Sequence, residues 1–129
     1  MYDHHTLLYF SHRLYSHELT LEENKQIYGK CINQHGHNYV LEVSVKGAVD
    51  PKTGMFINIT ELKSIIATEV LDILDHRTLE DLEPLKGIVT TTENVAVWIW
   101  GALHKKLGNL LFEVKIEETE KNFVIYRGE

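Results

Sequence analysis

A single cysteine, Cys31, is all the chain carries, so no disulfide can form within it and a reducing, cytoplasmic setting is expected. Long hydrophobic runs are missing too. The longest apolar-rich stretch, Val95 to Leu103, is nine residues, against the roughly 20 that a bilayer-spanning helix needs. The opening residues MYDHHTLLYFSHR lack the basic segment and apolar core of a secretory signal. There is no basic block either: the formal charge is -6, with acidic and basic residues interleaved. That distribution argues against a nucleic-acid footprint, but leaves room for a local cationic pocket that takes a small phosphorylated ligand. Repeats, low-complexity tracts and linkers are absent, so the 129 residues read as one domain, 1–129.

What is present is an ordinary soluble mixture, 43% apolar and 25% charged, with an unusual eight histidines. Residues 6–12 alternate and predict a strand with Leu8, Phe10 and His12 on one face. A long polar excursion follows, with a helical turn expected around Leu19 to Lys25. Loops of this length in small domains usually serve function. A second strand places His37, Tyr39, Leu41, Val43 and Val45 together. Asp50 to Gly54 signals a turn. Asn58 with Glu61 then opens a helix through about Leu74, striped by Leu62, Ile66, Val70 and Ile73. A second helix runs from Thr90 to Gly108, and strands near Leu110–Glu118 and Asn122–Tyr126 close the chain. The order ββααββ predicts an α+β fold in which two helices cover one face of a four-stranded antiparallel sheet. Leu7, Val40, Val124 and Tyr126 would face the other side, and burying them calls for an oligomer.

His35 and His37 are two apart, so in an extended strand both imidazoles project from one face. Gly36 between them removes a side chain where crowding is expected. If the first two strands pair, His12 converges on the same place. Neutral imidazole is a good ligand for zinc, and three histidines with an open position match a catalytic rather than a structural site. Cys31 admits three readings: a small buried hydrophobe, a thiolate base beside a cation, or a fourth zinc ligand. Asp75-His76 is either a carboxylate-oriented imidazole that shuttles protons or a solvated helix end. Glu118 continues the apolar row Phe112, Val114, Ile116, which suits an inward carboxylate facing paired N–H donors. A frayed strand end is the alternative.

The pieces SHRLYS, EEN, YGKC, HGHNY, VDPKTGM, LDHRTL, TTENVAVWIW and VKIEET, spread from about Leu8 to Gly128, closely resemble the 6-pyruvoyltetrahydropterin synthase family, which includes 6-carboxy-5,6,7,8-tetrahydropterin synthases. The resemblance implies a tunnelling fold, with trimers whose sheets close into a barrel and two trimers stacked as a hexamer. It implies zinc on His12, His35 and His37, and proton transfer by Cys31, Asp75 and His76. It also implies pterin anchoring by Glu118 with Thr91 and Thr92 close by, and active sites between subunits. Phe10 departs from the family's usual small residue before the first histidine. The spacing Cys-x3-His-x-His resembles the queuosine-precursor members, although YGKC and TTENVAVWIW look animal-like. Weighting the spacing gives a zinc-dependent lyase that makes 6-carboxy-5,6,7,8-tetrahydropterin and acetaldehyde from 7,8-dihydroneopterin triphosphate. The alternatives are a 6-pyruvoyl product with all three side-chain carbons kept, or a zinc-stabilised module without turnover. Arg13, Lys25 and Lys30 are candidates for the triphosphate.

Overall fold

The structure, a computed structural model, describes residues 1–129. Strands β1 (Tyr2–His12) and β2 (His35–Val45) pair antiparallel along their whole length, from Tyr2 opposite Val45 to His12 opposite His35. Strand β1 begins before residue 6 because its alternation already starts at Tyr2, which packs against the core. Between the two strands, α1 (Leu21–Tyr28) opens with a complete capping box: the Thr20 hydroxyl accepts the Glu23 N–H, and the Glu23 carboxylate accepts the Thr20 N–H. Gly29 stops this helix at φ +57, a conformation that penalises any residue with a Cβ. Buried Asn24 ties the excursion to itself by accepting from the Ser16 N–H and donating to the Ser16 and Thr20 carbonyls.

The predicted helix after Asn58 is present but not uniform. An α-helical stretch, α2 (Ile59–Ile66), passes through a π-helical turn, Ala67–Leu71, into a last turn, α3 (Asp72–Leu74). Asn58 caps it by accepting from Thr60 N–H, not through a box with Glu61. Leu62, Ile66, Val70 and Leu74 are all buried, one every fourth residue. In a straight α-helix each such step drifts about 40° around the axis, and the wider π turn takes up the drift. Leu74 therefore joins the stripe as its fully buried end, with Ile73 partly buried against the core beside it. Strand β3 (Arg77–Thr78) then runs parallel to β1 for two residues. Helix α4 (Thr92–Leu107) follows, capped by Thr91, and buries Val95, Ile99, Leu103 and Leu107.

Strands β4 (Leu111–Glu117) and β5 (Phe123–Tyr126) complete a sheet of order β3-β1-β2-β4-β5. It has five strands rather than four. The extra one is too short to leave an alternation pattern, and it exists because the chain leaving α3 pairs with the open edge of β1. A cluster of 20 buried apolar residues lies between the helices and the inner sheet face. No helix is long and apolar enough to cross a membrane.

The outer sheet face needs a correction. Val124 and Tyr126 lie opposite Ile116 and Val114 and pack against the core, not outside it. A one-residue shift of strand register exchanges the faces, so the outward residues of β5 are Phe123 and Ile125. Both are exposed, as are Leu7 and Tyr9 on β1.

Candidate active site

His12 and His35 are direct cross-strand partners, and His37 lies opposite Phe10. All three imidazoles therefore leave the inner face at the end of the sheet where β1 stops and β2 starts. Ring centroids are 4.6 Å apart for His12–His35 and 5.7 Å apart for His35–His37. A Cβ on Gly36 would come within 2.9 Å of the Tyr9 hydroxyl, which can swing aside, and 3.1 Å of the Phe10 carbonyl, so the close approach of β1 favours glycine between the histidines.

Two of the rings are fixed by backbone carbonyls. His12 Nδ1 donates to the Thr90 carbonyl at 2.6 Å, and His35 Nδ1 to the Asn33 carbonyl at 2.8 Å. A carbonyl only accepts, so both rings carry their proton on Nδ1 and present a lone pair on Nε2. Left unpaired, the buried His12 donor would cost about 1–3 kcal/mol. Burial, helped by the neighbouring His35, holds the His12 pKa below the usual imidazole value against the opposing effects of Thr90 and Glu80, which favours the neutral ring. An imidazole anchored through one nitrogen suits zinc ligation through the other, and His12 and His35 both have that anchor.

The Tyr39 hydroxyl lies 3.2 Å from His12 Nε2, occupying that lone pair. Its ring stacks on Phe10 with centroids 4.1 Å apart, and Phe10 meets His12 edge-on. Both are fully buried. The large residue at position 10 thus forms a wall with Tyr39 instead of crowding the histidines. Burial pushes the Tyr39 phenol pKa up, as do the negative charges of Glu118 and Cys31. The three imidazoles do not by themselves form a compact group of ligand atoms. Asp3, His5 and Glu42 on the outer face do, with ligand atoms within 4.8 Å of one another that could hold a metal.

Glu118 sits just past the end of β4, with its carboxylate 3.7 Å from His37 Nε2 and its backbone N–H on the Asn122 carbonyl. It thus lies beside the histidines, partly open to solvent. Cys31 lies on a 3-10 turn, Gly29–Ile32, with its carbonyl accepting from Leu14 N–H at 2.8 Å. It is exposed, which corrects the buried-hydrophobe reading, and it forms no compact ligand group with the histidines. The Thr91 hydroxyl accepts from Asn94 N–H as the helix cap, and Thr92 is buried in the first turn of α4.

Asp75 and His76 are paired with each other but separated from this group. Asp75 Oδ2 is 3.1 Å from His76 Nδ1, while Oδ1 accepts the Tyr9 N–H. His76 N–H donates to the Tyr9 carbonyl at 2.6 Å, and His76 is the one non-glycine residue at positive φ, +59. Such backbone strain persists only where surrounding contacts impose it. With Leu7, Tyr9 and Asn38 the pair lines a shallow depression on the outer side of the sheet, opposite to the histidines. Within one chain, then, the metal-ligand candidates and the proton-shuttle candidates do not meet.

Sequence reasoning missed Glu80, Thr90 and Gln34. They lie in turns without periodicity, where hydrogen-bond roles leave no pattern. Tyr39 was read only as a strand-face residue.

Among known proteins, the family described as 6-pyruvoyl tetrahydropterin synthase matches residues 4–129. A 6-pyruvoyl tetrahydrobiopterin synthase of Dictyostelium discoideum is 67% identical over 120 residues, covering 92% of this chain and 89% of that protein. One of Poecilia reticulata is 50% identical over 122 residues, covering 92% and 83%. The solved structure of Caenorhabditis elegans 6-pyruvoyl tetrahydropterin synthase superposes with a TM-score of 0.93 at 41% identity, covering 99% of this chain and 94% of that one. Fold and site together thus define an α+β pterin-synthase type of enzyme. The chain belongs to the 6-pyruvoyl tetrahydropterin synthase family.

These relatives overturn the expectation of a 6-carboxytetrahydropterin, queuosine-route lyase: at 41–67% identity over nearly the whole chain, they are named for the 6-pyruvoyl compound. The Cys-x3-His-x-His spacing misled because Cys31 sits in an exposed turn, where loop length varies most readily. The animal-like TTENVAVWIW, on the core-packed helix α4, is the better guide.

Proposed function

We propose that this chain eliminates triphosphate from 7,8-dihydroneopterin triphosphate and rearranges the side chain to 6-pyruvoyl-tetrahydropterin, keeping all three side-chain carbons. The observation that carries this reading is similarity along almost the full chain to proteins named for that product, one of them 67% identical. His12, His35 and His37 would hold zinc, with the Nδ1 anchors directing Nε2 of His12 and His35 to the metal and the Tyr39 hydroxyl giving up the His12 lone pair to it. Bound there, zinc supplies Lewis acidity that polarises the side-chain oxygens and acidifies the neighbouring C–H bonds.

The chain's own groups do the rest. Glu118, beside His37, accepts from the pterin amino and ring N–H groups and aligns the side chain with the histidines. Thr91 and Thr92 flank the ring. The Cys31 thiolate removes or relays a side-chain proton, and His76, held at Nδ1 by Asp75, is the complementary acid-base group through Nε2. Asp75 and His76 lie on the outer sheet face, so a second copy must present them to the histidines. Exposed Leu7, Tyr9, Phe123 and Ile125 supply apolar surface for that contact. A homo-oligomer follows, with trimeric barrels stacked as a hexamer in the cytoplasm as its full form.

Incubating zinc-loaded protein with the triphosphate substrate and analysing the pterin by mass tests the reading. The expected product carries the 6-pyruvoyl group and no acetaldehyde is released. A carboxylated pterin with acetaldehyde, or no turnover, contradicts it.

A further inference from the structure

Glu80 belongs to none of the groups above, yet it is the most heavily bonded side chain near the histidines. It lies on a 3-10 turn, Leu79–Asp81, directly after β3 and beside fully buried Leu79. Its Oε1 accepts the Arg13 N–H at 2.8 Å, and its Oε2 accepts the Thr90 hydroxyl at 3.0 Å. Arg13 follows His12, and the Thr90 carbonyl is the acceptor for His12 Nδ1–H. When the Gln34 amide is turned so that both of its polar atoms find partners, its nitrogen donates to Glu80 Oε1 at 3.3 Å and its oxygen accepts the His12 N–H at 2.9 Å. Gln34 immediately precedes His35. One carboxylate therefore joins the end of β1, the start of β2 and the loop before α4. Lys86 Nζ, donating to the Glu80 carbonyl at 3.1 Å, holds the turn from outside.

We propose that Glu80 is a positioning residue for the histidine set, fixing the His12 ring through Thr90 and aligning the His12 and His35 backbones through Arg13 and Gln34. The carbonyl that locks His12 is main chain and cannot be replaced, so its placement depends on what holds the Thr90 side chain. The Arg13 carbonyl, 3.2 Å from the same hydroxyl, is a second acceptor, but it moves with the segment that Glu80 anchors. The charge form matters as well. A carboxylate accepts from Arg13 and Thr90 with both oxygens, whereas an amide keeps one acceptor, loses the charge that strengthens these bonds and reverses the bond to the Thr90 hydroxyl, releasing it to the Arg13 carbonyl.

The inference rests on the zinc reading of His12, His35 and His37, so it is tested by two readouts, one of which needs no metal. Glu80→Gln is expected to weaken zinc binding by about 10–100-fold in chelator competition, the usual effect of losing an anchor behind a metal ligand. In the metal-free protein, the ring nitrogen signals of His12 are expected to change from a single Nδ1–H tautomer to a mixture. Glu80→Asp, which keeps two acceptors, should recover most of both. A folded Glu80→Gln variant with wild-type zinc affinity and an unchanged His12 tautomer overturns the proposal. If that variant does not fold, Thr90→Val, which removes the hydroxyl and keeps the carbonyl, is expected to shift the tautomer in the same direction, and no shift overturns it. Should the wild-type protein bind no zinc, the metal reading fails, and the tautomer measurement alone decides the role of Glu80.

Discussion

Replacing Cys31 with alanine is expected to lower kcat by about 10²–10⁴-fold, the range a positioned acid-base group contributes, while zinc stays bound. The thiol sits on an exposed turn, and the Cys31 carbonyl is tied to Leu14, two residues past His12. It is therefore held near the histidines without being packed among apolar neighbours. Cys31 is close enough to bear on the Tyr39 phenol, and Tyr39 touches His12. A thiol so placed can reach a substrate proton without ligating metal. Serine at this position should rescue little, because a hydroxyl ionises far less readily than a thiol. Zinc content and kcat measured together on Cys31→Ala make the test. Loss of zinc along with activity would identify the thiol as a fourth ligand and support a closed structural site instead.

A mixture of two inactive variants is expected to regain activity. Cys31→Ala removes the thiol beside the histidines, and His76→Ala removes the imidazole on the opposite side of the sheet. If each site takes its thiol from one chain and its imidazole from another, random co-assembly leaves about a quarter of the sites with both groups intact in a symmetric homo-oligomer. Mixed after unfolding and refolding together, the pair should approach that fraction of wild-type activity. Each variant refolded alone should stay inactive. No recovery in verified mixed oligomers would show that one chain supplies both groups, which the separation of Asp75 and His76 from the histidines argues against.

The long strands and helices were legible because burial imposes a period. Leu8, Phe10 and His12 alternate, and α4 repeats apolar residues at helical spacing. The histidine set was legible for the same reason: strand periodicity alone puts His35 and His37 on one face, and pairing with β1 adds His12. The errors fell where periodicity is weak. Strand β5 is four residues long, and a one-residue misreading sent Val124 and Tyr126 to the wrong face. The π turn brings Leu74 fully into the core beside partly buried Ile73, which a straight-helix stripe leaves out. Glu80 and Thr90 act through single hydrogen bonds between turns that are distant in sequence. The separation of Asp75-His76 from the histidines follows from the two faces of β1.

Turnover of the chelator-stripped protein before and after zinc is added back, with zinc counted per chain, bears most directly on the three-imidazole site. The expected result is about one zinc per chain, as for a three-histidine catalytic site. Activity should disappear with the metal and return with it. Stripped protein that converts the substrate at the undiminished rate would contradict the whole scheme.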